Sequence, residues 1–359
     1  MKVAIMGAGL SGLSAAIILE RYGVSPVIFE KRSQAGDRFI NAEAMLSLLT
    51  RPIIDPIRYL SEEFQIFLKP ISHINPIIIH SENVQTIINE HVGFTNIRGR
   101  NKNSFEAQLA SQVTSKIRFN AEVSYEDLLE KFTHVIMATG DASYAIKLHN
   151  YREDLSVSLK GATVEGVFTR SEVSVWLDNN LAPKGYAYLI PFSDTEANIV
   201  VAVPDLTNEV DETITDYWNR FYDLLKSHLN QSLKITDQFQ ITNYKIGICD
   251  SPRIGNTFFT GNCFGAIMPF LGFGQFESIL TGIYAAYDIC GLGKYDALTE
   301  PLRKSYQHSL ILRRGMEALN NQAFDFIVAR MNGYLGKQLF KPSGHDPLKW
   351  LSYLARPFV

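Results

Sequence analysis

Cysteine is scarce in this chain: Cys249, Cys263 and Cys290 are the three in 359 residues. No two stand in a C-x-x-C spacing and the number is odd, so neither a zinc or dithiol site nor a disulfide framework is expected. A reducing cytoplasm is the expected setting. Charge of one sign is not in excess either. Lys and Arg number 34 against 37 Asp and Glu, a formal net charge of −3, whereas a nucleic-acid surface would be clearly basic. No uninterrupted apolar stretch reaches the roughly 18 residues of a membrane span. The run from Val3 to Leu19 imitates a secretory signal, but Gly7, Gly9 and Gly12 interrupt it and Glu20-Arg21 ends it. It is read as a strand and a helix, not as a targeting segment. His73, His80 and His91 are scattered with no H-E-x-x-H, so no metal site is expected, and no G-x-S-x-G marks a hydrolase nucleophile. Internal repeats and low-complexity segments are lacking. The length itself is too great for one small core and implies two or more lobes.

What is present begins at the first residues. Lys2 to Met6 reads as a short buried strand and runs into Gly7-Ala8-Gly9-Leu10-Ser11-Gly12, a G-x-G-x-x-G. Leu13 to Tyr22 follows as a helix of small and aliphatic residues that Gly23 ends. Val27-Ile28-Phe29 is a second strand, with Glu30 at its end, 18 residues after Gly12. Gly7 permits the tight turn, Gly9 lets the backbone approach a pyrophosphate at the helix N-terminus, and Gly12 permits close helix–strand packing. Glu30 is placed to accept hydrogen bonds from ribose hydroxyls, and its charge disfavours the 2′-phosphate of NADP. The motif alone does not separate NAD from FAD.

Further along, Pro52, Pro56, Pro70 and Pro76 punctuate the chain. Strands are expected over Pro76 to His80, Thr95 to Arg98, Lys116 to Phe119 and Thr133 to Ala138, with helices over Phe105 to Val113 and Tyr125 to Lys131. Between Thr163 and Val203 the pattern becomes repeated strands (Thr163–Thr169, Val173–Leu177, Tyr186–Ile190, Asn198–Val203) separated by turn residues, which reads as an antiparallel sheet. Tyr217 to Leu229 returns to helix. Thr257 to Thr260 is a strand leading into Gly261-Asn262-Cys263-Phe264-Gly265, and a long helix is expected from about Gly274 to Ile289. After Thr299 the chain reads as mostly helical to its end.

Four of these segments together resemble the group of FAD enzymes that includes the aromatic hydroxylases and the geranylgeranyl reductase family. They are Gly7 to Glu30; His134-Val135-Ile136-Met137-Ala138-Thr139-Gly140-Asp141; Gly185-Tyr186-Ala187-Tyr188-Leu189-Ile190-Pro191, similar to the reductases' G-Y-x-W-x-F-P; and Gly261 to Gly265 with Pro269, Gly272 and Gly274, similar to G-D-A-A-G…P-x-x-G-x-G. The branch is set by the last of these. Hydroxylases usually place His after G-D-A-A, and this chain has Gly265, followed by the small residues Ser278, Thr281-Gly282 and Ala285-Ala286. Glu30-Lys31-Arg32 through Gly36 to Glu43 aligns without gaps to the reductases' E-K-R…G…C-G-E-G.

The resemblance implies an α/β architecture: a Rossmann-like FAD-binding domain with a parallel sheet (residues 1–50, 96–145 and 251–300), interleaved with an antiparallel-sheet substrate domain (51–95 and 146–250) and a helical C-terminal segment (301–359). It implies FAD as cofactor. Ser11 would lie at the pyrophosphate, Glu30 at the adenosine ribose, Val123 at the adenine, and Asn262 at the ribityl or ribose hydroxyls. Gly274 and Gln275 would form a helix N-terminus facing the flavin pyrimidine edge. Gly7, Gly9, Gly12, Lys31, Asn41, Ala42, Lys102, Gly140 and Gly272 complete the implied cofactor-binding set. The chain departs from the family pattern at several points. Asn262 replaces an Asp, Asn41 replaces a Cys, and Ile40 replaces a basic residue often found before it. Ala42 and Ala44 replace glycines, and Tyr188 replaces a Trp. Lys102 stands for an Arg, with Arg100 two residues away.

Tyr188 is the candidate catalytic residue, as a phenol able to donate a proton. Tyr186 and Tyr188 either line the substrate cavity or pack on the sheet. Cys263 is expected as a small packed residue, and His134 as a structural one. The activity implied is hydride transfer from reduced flavin to a carbon–carbon double bond of an apolar, isoprenoid-like substrate. Two alternatives stand beside it: a flavin monooxygenase of an aromatic substrate, and a non-catalytic flavin- or lipid-binding protein. No second G-x-G-x-x-G marks a nicotinamide domain, so the electron donor is open between NAD(P)H and a reduced protein carrier. The expected partners are a small apolar substrate and an electron-donor protein, with no nucleic acid and at most peripheral contact with a membrane.

Overall fold

The short apolar runs at the start of the chain become the centre of a parallel sheet. The computed structural model describes residues 1–205, 212–341 and 344–356. Val3–Met6, buried at every position, lies between Val27–Phe29 and His134–Met137 in the parallel registers Ile5↔Ile28 and Ile5↔Ile136. Strands covered on both faces show no polar–apolar alternation, which is why these segments read as continuous runs. The sheet has six strands in the order Arg253–Ile254, Thr257–Phe259, His134–Met137, Val3–Met6, Val27–Phe29, Ile117–Arg118, and the first of these runs antiparallel to its neighbour.

Two helices cross on this sheet at backbone distance. Leu10–Arg21 starts three residues earlier than Leu13, the expected start, because Gly9 in extended conformation serves as its N-cap. It is buried almost all round, and so is its partner Gln275–Ile289. At the crossing, a Cβ on Gly282 would overlap the carbonyl oxygen of Ser11 and lie 2.8 Å from its carbonyl carbon. Ala15, Ala16, Ala285 and Ala286, all with no exposed surface, keep the rest of the contact equally thin.

The second sheet has seven strands, in the order Lys234–Ile248, Arg152–Glu165, Glu196–Pro204, Tyr186–Pro191, Val173–Trp176, Ile77–His80, Gln85–Ile88. It is not antiparallel throughout as expected. Val173–Trp176 and Ile77–His80 pair in parallel, because they come from separate excursions of the chain and no hairpin links them. The strand expected over Thr163–Thr169 is the end of the much longer Arg152–Glu165 and stops at Glu165. Ile214–Leu229 covers one face of this sheet, packing Trp218, Phe221 and Leu225 on Ala162, Ile199 and Val201.

A three-stranded sheet of Asn41–Leu46, Gly93–Arg98 and Ser72–His73 joins the two larger ones. Ala42, Ala44 and Leu46 share a core with Ile77, Val173 and Ile190 of the seven-stranded sheet, while Arg98 faces the glycine-loop cleft on the other side. The C-terminal helices are Tyr295–Glu317, Asn321–Met331, Tyr334–Phe340 and Pro347–Ala355; residues 342–343 and 357–359 of the expected helical end lie outside the described residues. No helix among the described residues is long and apolar enough to cross a membrane.

The helix crossing generates a stability prediction. Gly282→Ala must push Leu10–Arg21 away from Gln275–Ile289 against main-chain atoms, a clash that costs roughly 2–4 kcal/mol. Urea unfolding of the variant is expected to show that loss, and a change below about 0.5 kcal/mol would mean that the helices do not cross at backbone contact.

Candidate functional site

The glycine loop opens onto a cleft of about 730 Å³ of empty space, part of it continuous with solvent. Its glycines divide into two kinds. A Cβ on Gly7 (φ +115°) would overlap the Ala138 carbonyl, and one on Gly12 would overlap the Gly7 carbonyl, so these two serve turn and packing. Gly9 has nothing within 4 Å of where its Cβ would stand: it faces the cleft. The helix behind it has no side-chain cap, so its first-turn N–H groups are left for a ligand, with the positive end of the helix dipole behind them.

Glu30 fixes this loop. One carboxylate oxygen accepts the Ala8 N–H at 2.9 Å and the other the Arg32 N–H at 2.9 Å. Each oxygen retains a lone pair toward the cleft. Across the opening, Asn262 donates its amide to the Gly140 carbonyl at 2.9 Å and to the Tyr244 hydroxyl at 2.6 Å, which leaves its side-chain oxygen as an acceptor. Burial pushes the Tyr244 phenol up to about 12, so it holds its proton.

Cations reach the cleft from Lys31, Arg32, Arg38 and Arg98. Lys102, expected in this role, sits on an exposed turn outside the lining, and Arg100 is paired with Asp237 at 2.7 Å. Arg98 bonds Glu106 at 2.7 Å and approaches Glu43 at 3.5 Å. Burial works against its charge, and the two carboxylates outweigh it and raise its pKa. The second Glu106 oxygen is buried without a partner. From Glu43 the network continues to Gln275, which bonds both the Glu43 carboxylate and Asn96.

Of the sequence-predicted residues, Gly9, Ser11, Glu30, Lys31, Gly140 and Asn262 line this one cleft. Gly7 and Gly12 support it from behind. Val123 packs against the core cluster that holds Phe29 and Leu128, outside the lining. Asn41 donates to Glu43 at 2.9 Å and accepts the Tyr188 hydroxyl at 3.1 Å, while Ala42 is fully buried. Tyr186 donates to the Leu271 carbonyl, beside Gly272. Burial raises the pKa of both phenols, that of Tyr188 well above the ordinary tyrosine value. A group that holds its proton so firmly orients its neighbours better than it donates. Cys263 is buried, bonded to Thr139 and the Asp141 carbonyl.

Gly274 and Gln275 line a second, apolar cavity. Sequence reasoning missed its most unusual wall residue, Glu277, and also Arg38, Arg98 and Tyr244. Glu277 is 8% exposed, and burial pushes its carboxyl up to about 7 from the ordinary 4.5. The unfolded chain loses this proton near 4.5 and the folded one keeps it to about 7. Stability from this group is therefore fully present below pH 4.5 and falls as pH rises to 7, by roughly 3 kcal/mol. Glu277→Gln is expected to remove that slope, gaining about 2–3 kcal/mol on the wild-type protein between pH 4.5 and 8 in urea unfolding. Parallel pH profiles for the two proteins would show a carboxyl that titrates as if in solvent.

Residues 5–43 match the NAD(P)-binding Rossmann-like domain family. No curated protein matches the chain by sequence. Among solved structures, a geranylgeranyl bacteriochlorophyll reductase-like protein from Thermoplasma acidophilum superimposes with a TM-score of 0.73 at 14% identity, covering 98% of this chain and 95% of that one. The flavin-dependent brominase Bmp2 does so with 0.71 at 14%, covering 100% and 99%. Aklavinone-11 hydroxylase, in a ternary complex with FAD and aklavinone, gives 0.62 at 14%, covering 94% and 72%. The chain has the fold of FAD-dependent oxidoreductases, with a Rossmann-like dinucleotide-binding domain.

Proposed function

We propose that the chain is an FAD-dependent oxidoreductase that reduces a carbon–carbon double bond of an apolar, isoprenoid-like substrate. Gly265 carries the choice of reductase over hydroxylase. It has φ +106°, and a Cβ there would lie 2.5 Å from the Gly247 carbonyl and 2.7 Å from the Ile248 Cα. The histidine that hydroxylases of this group place after G-D-A-A has no room at this position.

The donor set of the cleft fits FAD. A dinucleotide needs N–H donors at its pyrophosphate and acceptors at its sugar hydroxyls. Leu10, Ser11 and Gly12 supply the first from the uncapped helix turn, and Glu30 and the Asn262 oxygen supply the second. The unpartnered Glu106 oxygen adds a buried acceptor on the same wall. Gln275, at the uncapped start of its helix, brings positive potential to the flavin side. FAD, when bound, supplies hydride chemistry, and NAD(P)H or a reduced protein carrier is the electron source. Tyr188 and Asn41, hydrogen-bonded to each other, would help hold the cofactor, and Phe273 with its apolar neighbours would exclude water. Arrival of the substrate from a membrane surface, without a span, agrees with its apolar character.

Gly9→Val places a side chain into open cleft on a backbone that tolerates it. The variant is expected to fold with an unchanged melting temperature and to bind FAD at least tenfold more weakly in a fluorescence titration. Glu30→Ala, which frees two backbone N–H groups, is expected to lose FAD affinity and about 1–3 kcal/mol of stability. Unaltered FAD affinity in both would overturn the cofactor assignment. The reaction is tested anaerobically: the FAD-loaded protein is reduced and offered polyprenyl substrates. Reoxidation with saturation of a double bond is expected. If no polyprenyl compound reoxidises the flavin, the reductase reading falls, and substrate-stimulated oxygen uptake would put a monooxygenase in its place.

A further inference from the structure

The first turn of Gln275–Ile289 stands between two hollows. Ser278 lines the glycine-loop cleft. The preceding residue, Glu277, lines the separate cavity enclosed by this turn, residues 44–51 and the helices Tyr295–Glu317 and Pro347–Ala355. The body of that cavity is apolar, with Leu46, Leu48, Met268, Phe273, Leu312 and Leu348 in its wall.

Several of its polar neighbours are committed to the protein. His308 shares a hydrogen bond of 2.8 Å with Ser352, and Ser309 accepts the Phe270 N–H at 2.9 Å. Asp346 accepts the Lys349 N–H at 3.0 Å, and Arg51 donates to the carbonyls of Ser47 and Lys341. Glu277 differs. Its side chain is more than nine-tenths buried, and among the described residues no other residue hydrogen-bonds its carboxyl. A buried polar group without an external partner costs free energy that a ligand can recover. A largely apolar hollow with one such group is the usual form of a small-molecule site.

We propose that this cavity binds an apolar molecule carrying a single oxygen acceptor, such as a ketone, an aldehyde or an alcohol, and that the Glu277 carboxylic acid donates the hydrogen bond that selects it. The proposal rests on the oxidoreductase reading for the ligand's role as substrate; the binding itself does not depend on it. Glu277 retains its proton up to about pH 7 because of its burial, so the donating form is present near neutrality. The position of the site against Gly274 and Gln275 sets the ligand beside the helix end assigned to the flavin.

The test uses the FAD-treated full chain at pH 6.5 and a pair of probes of matched shape, acetophenone and ethylbenzene, with Kd read from ligand-observed NMR titrations. The quantity compared is the Kd ratio, ethylbenzene over acetophenone, which cancels the general affinity of the cavity for aromatic rings. One hydrogen bond in an apolar site is worth about tenfold. Glu277→Leu is therefore expected to lower the ratio about tenfold, with Glu277→Ala standing in if the Leu variant does not fold. Glu277→Gln, which keeps an N–H donor, is expected to leave the ratio within about threefold. Leu312→Trp, which fills the hollow, is expected to lose both probes. A ratio unchanged by Glu277→Leu or Glu277→Ala overturns the proposal, and so does absence of binding of either probe to the wild-type protein at 1 mM. FAD content is read by absorbance on the same samples. If FAD is taken up and the ratio does not move, the cavity assignment alone falls. If no FAD is taken up and the ratio moves as expected, the cavity assignment stands and only the flavin reading falls.

Discussion

The close crossing of Leu10–Arg21 and Gln275–Ile289 is the constraint on which the rest of the site depends. Gly282 lies against the Ser11 main chain, and Ser11 Oγ faces Gly261, whose N–H donates to Thr281 at 2.9 Å. One crossing therefore ties together the glycine loop, the Gly261–Gly265 loop and a second uncapped helix start. Had either helix a larger side chain at the contact, the two helix ends and the loop between them would separate by ångströms. The run of small residues on both helices is thus a positional device, and it obtains van der Waals contact between backbones that larger side chains would prevent.

Carboxylates organise the cleft more than cations do. Glu30 collects two loop N–H groups, and Glu43 and Glu106 hold Arg98 between them. The partly buried Arg98 would pay a desolvation cost alone; its charge survives because the paired carboxylates outweigh burial. This arrangement leaves the guanidinium fixed and the wall acceptor-rich. Under the FAD reading proposed above, such a wall would take the sugar hydroxyls, and the backbone N–H groups of the glycine loop would take the anionic pyrophosphate.

The parallel unit was legible from the sequence because each of its residues answers to one local rule. Fully buried strands are continuous apolar runs, and the G-x-G-x-x-G sits between strand and helix. The second sheet was less legible. Lys234–Ile248 is an edge strand whose side chains are exposed over most of its length, so Lys, Thr, Asp, Gln and Asn fill it and hide the alternation of Phe239 and Ile241. The parallel pairing of Val173–Trp176 with Ile77–His80 joins segments about 100 residues apart in the chain, and no local pattern encodes such a pair. At the site, the motif residues Ser11, Glu30 and Asn262 come to line one cleft. Lys102, expected at the cofactor, lies outside that lining, where Lys31, Arg32, Arg38 and Arg98 stand; the place of Arg98 depends on how the three-stranded sheet packs, which no local motif encodes. Asn41 illustrates a different gain: where the reductases that the chain resembles have a cysteine, the amide side chain joins Glu43 to Tyr188, a link that a thiol, a weak donor and a weak acceptor, would make less strongly.

Glu277 and Ser278 show how one helical turn separates two chemistries. Successive residues on a helix point about 100° apart, so one enters the polar cleft and the other the apolar hollow. Two electrostatic effects compete at Glu277. The helix N-terminus favours its anion by about 0.3–1 kcal/mol. Burial disfavours the anion by several kcal/mol, and burial prevails, since the carboxyl is held up to about 7. A carboxyl placed there solely to cap the helix would accept a first-turn N–H, as Asp55 does at the start of Pro56–Phe64, where it accepts the Arg58 N–H at 2.9 Å. Glu277 instead stands neutral against apolar surface, which is the state in which a carboxylic acid donates a hydrogen bond rather than accepts one. The position is therefore chemically asymmetric: it rewards a ligand acceptor, penalises a ligand anion, and gains little from a pure hydrocarbon.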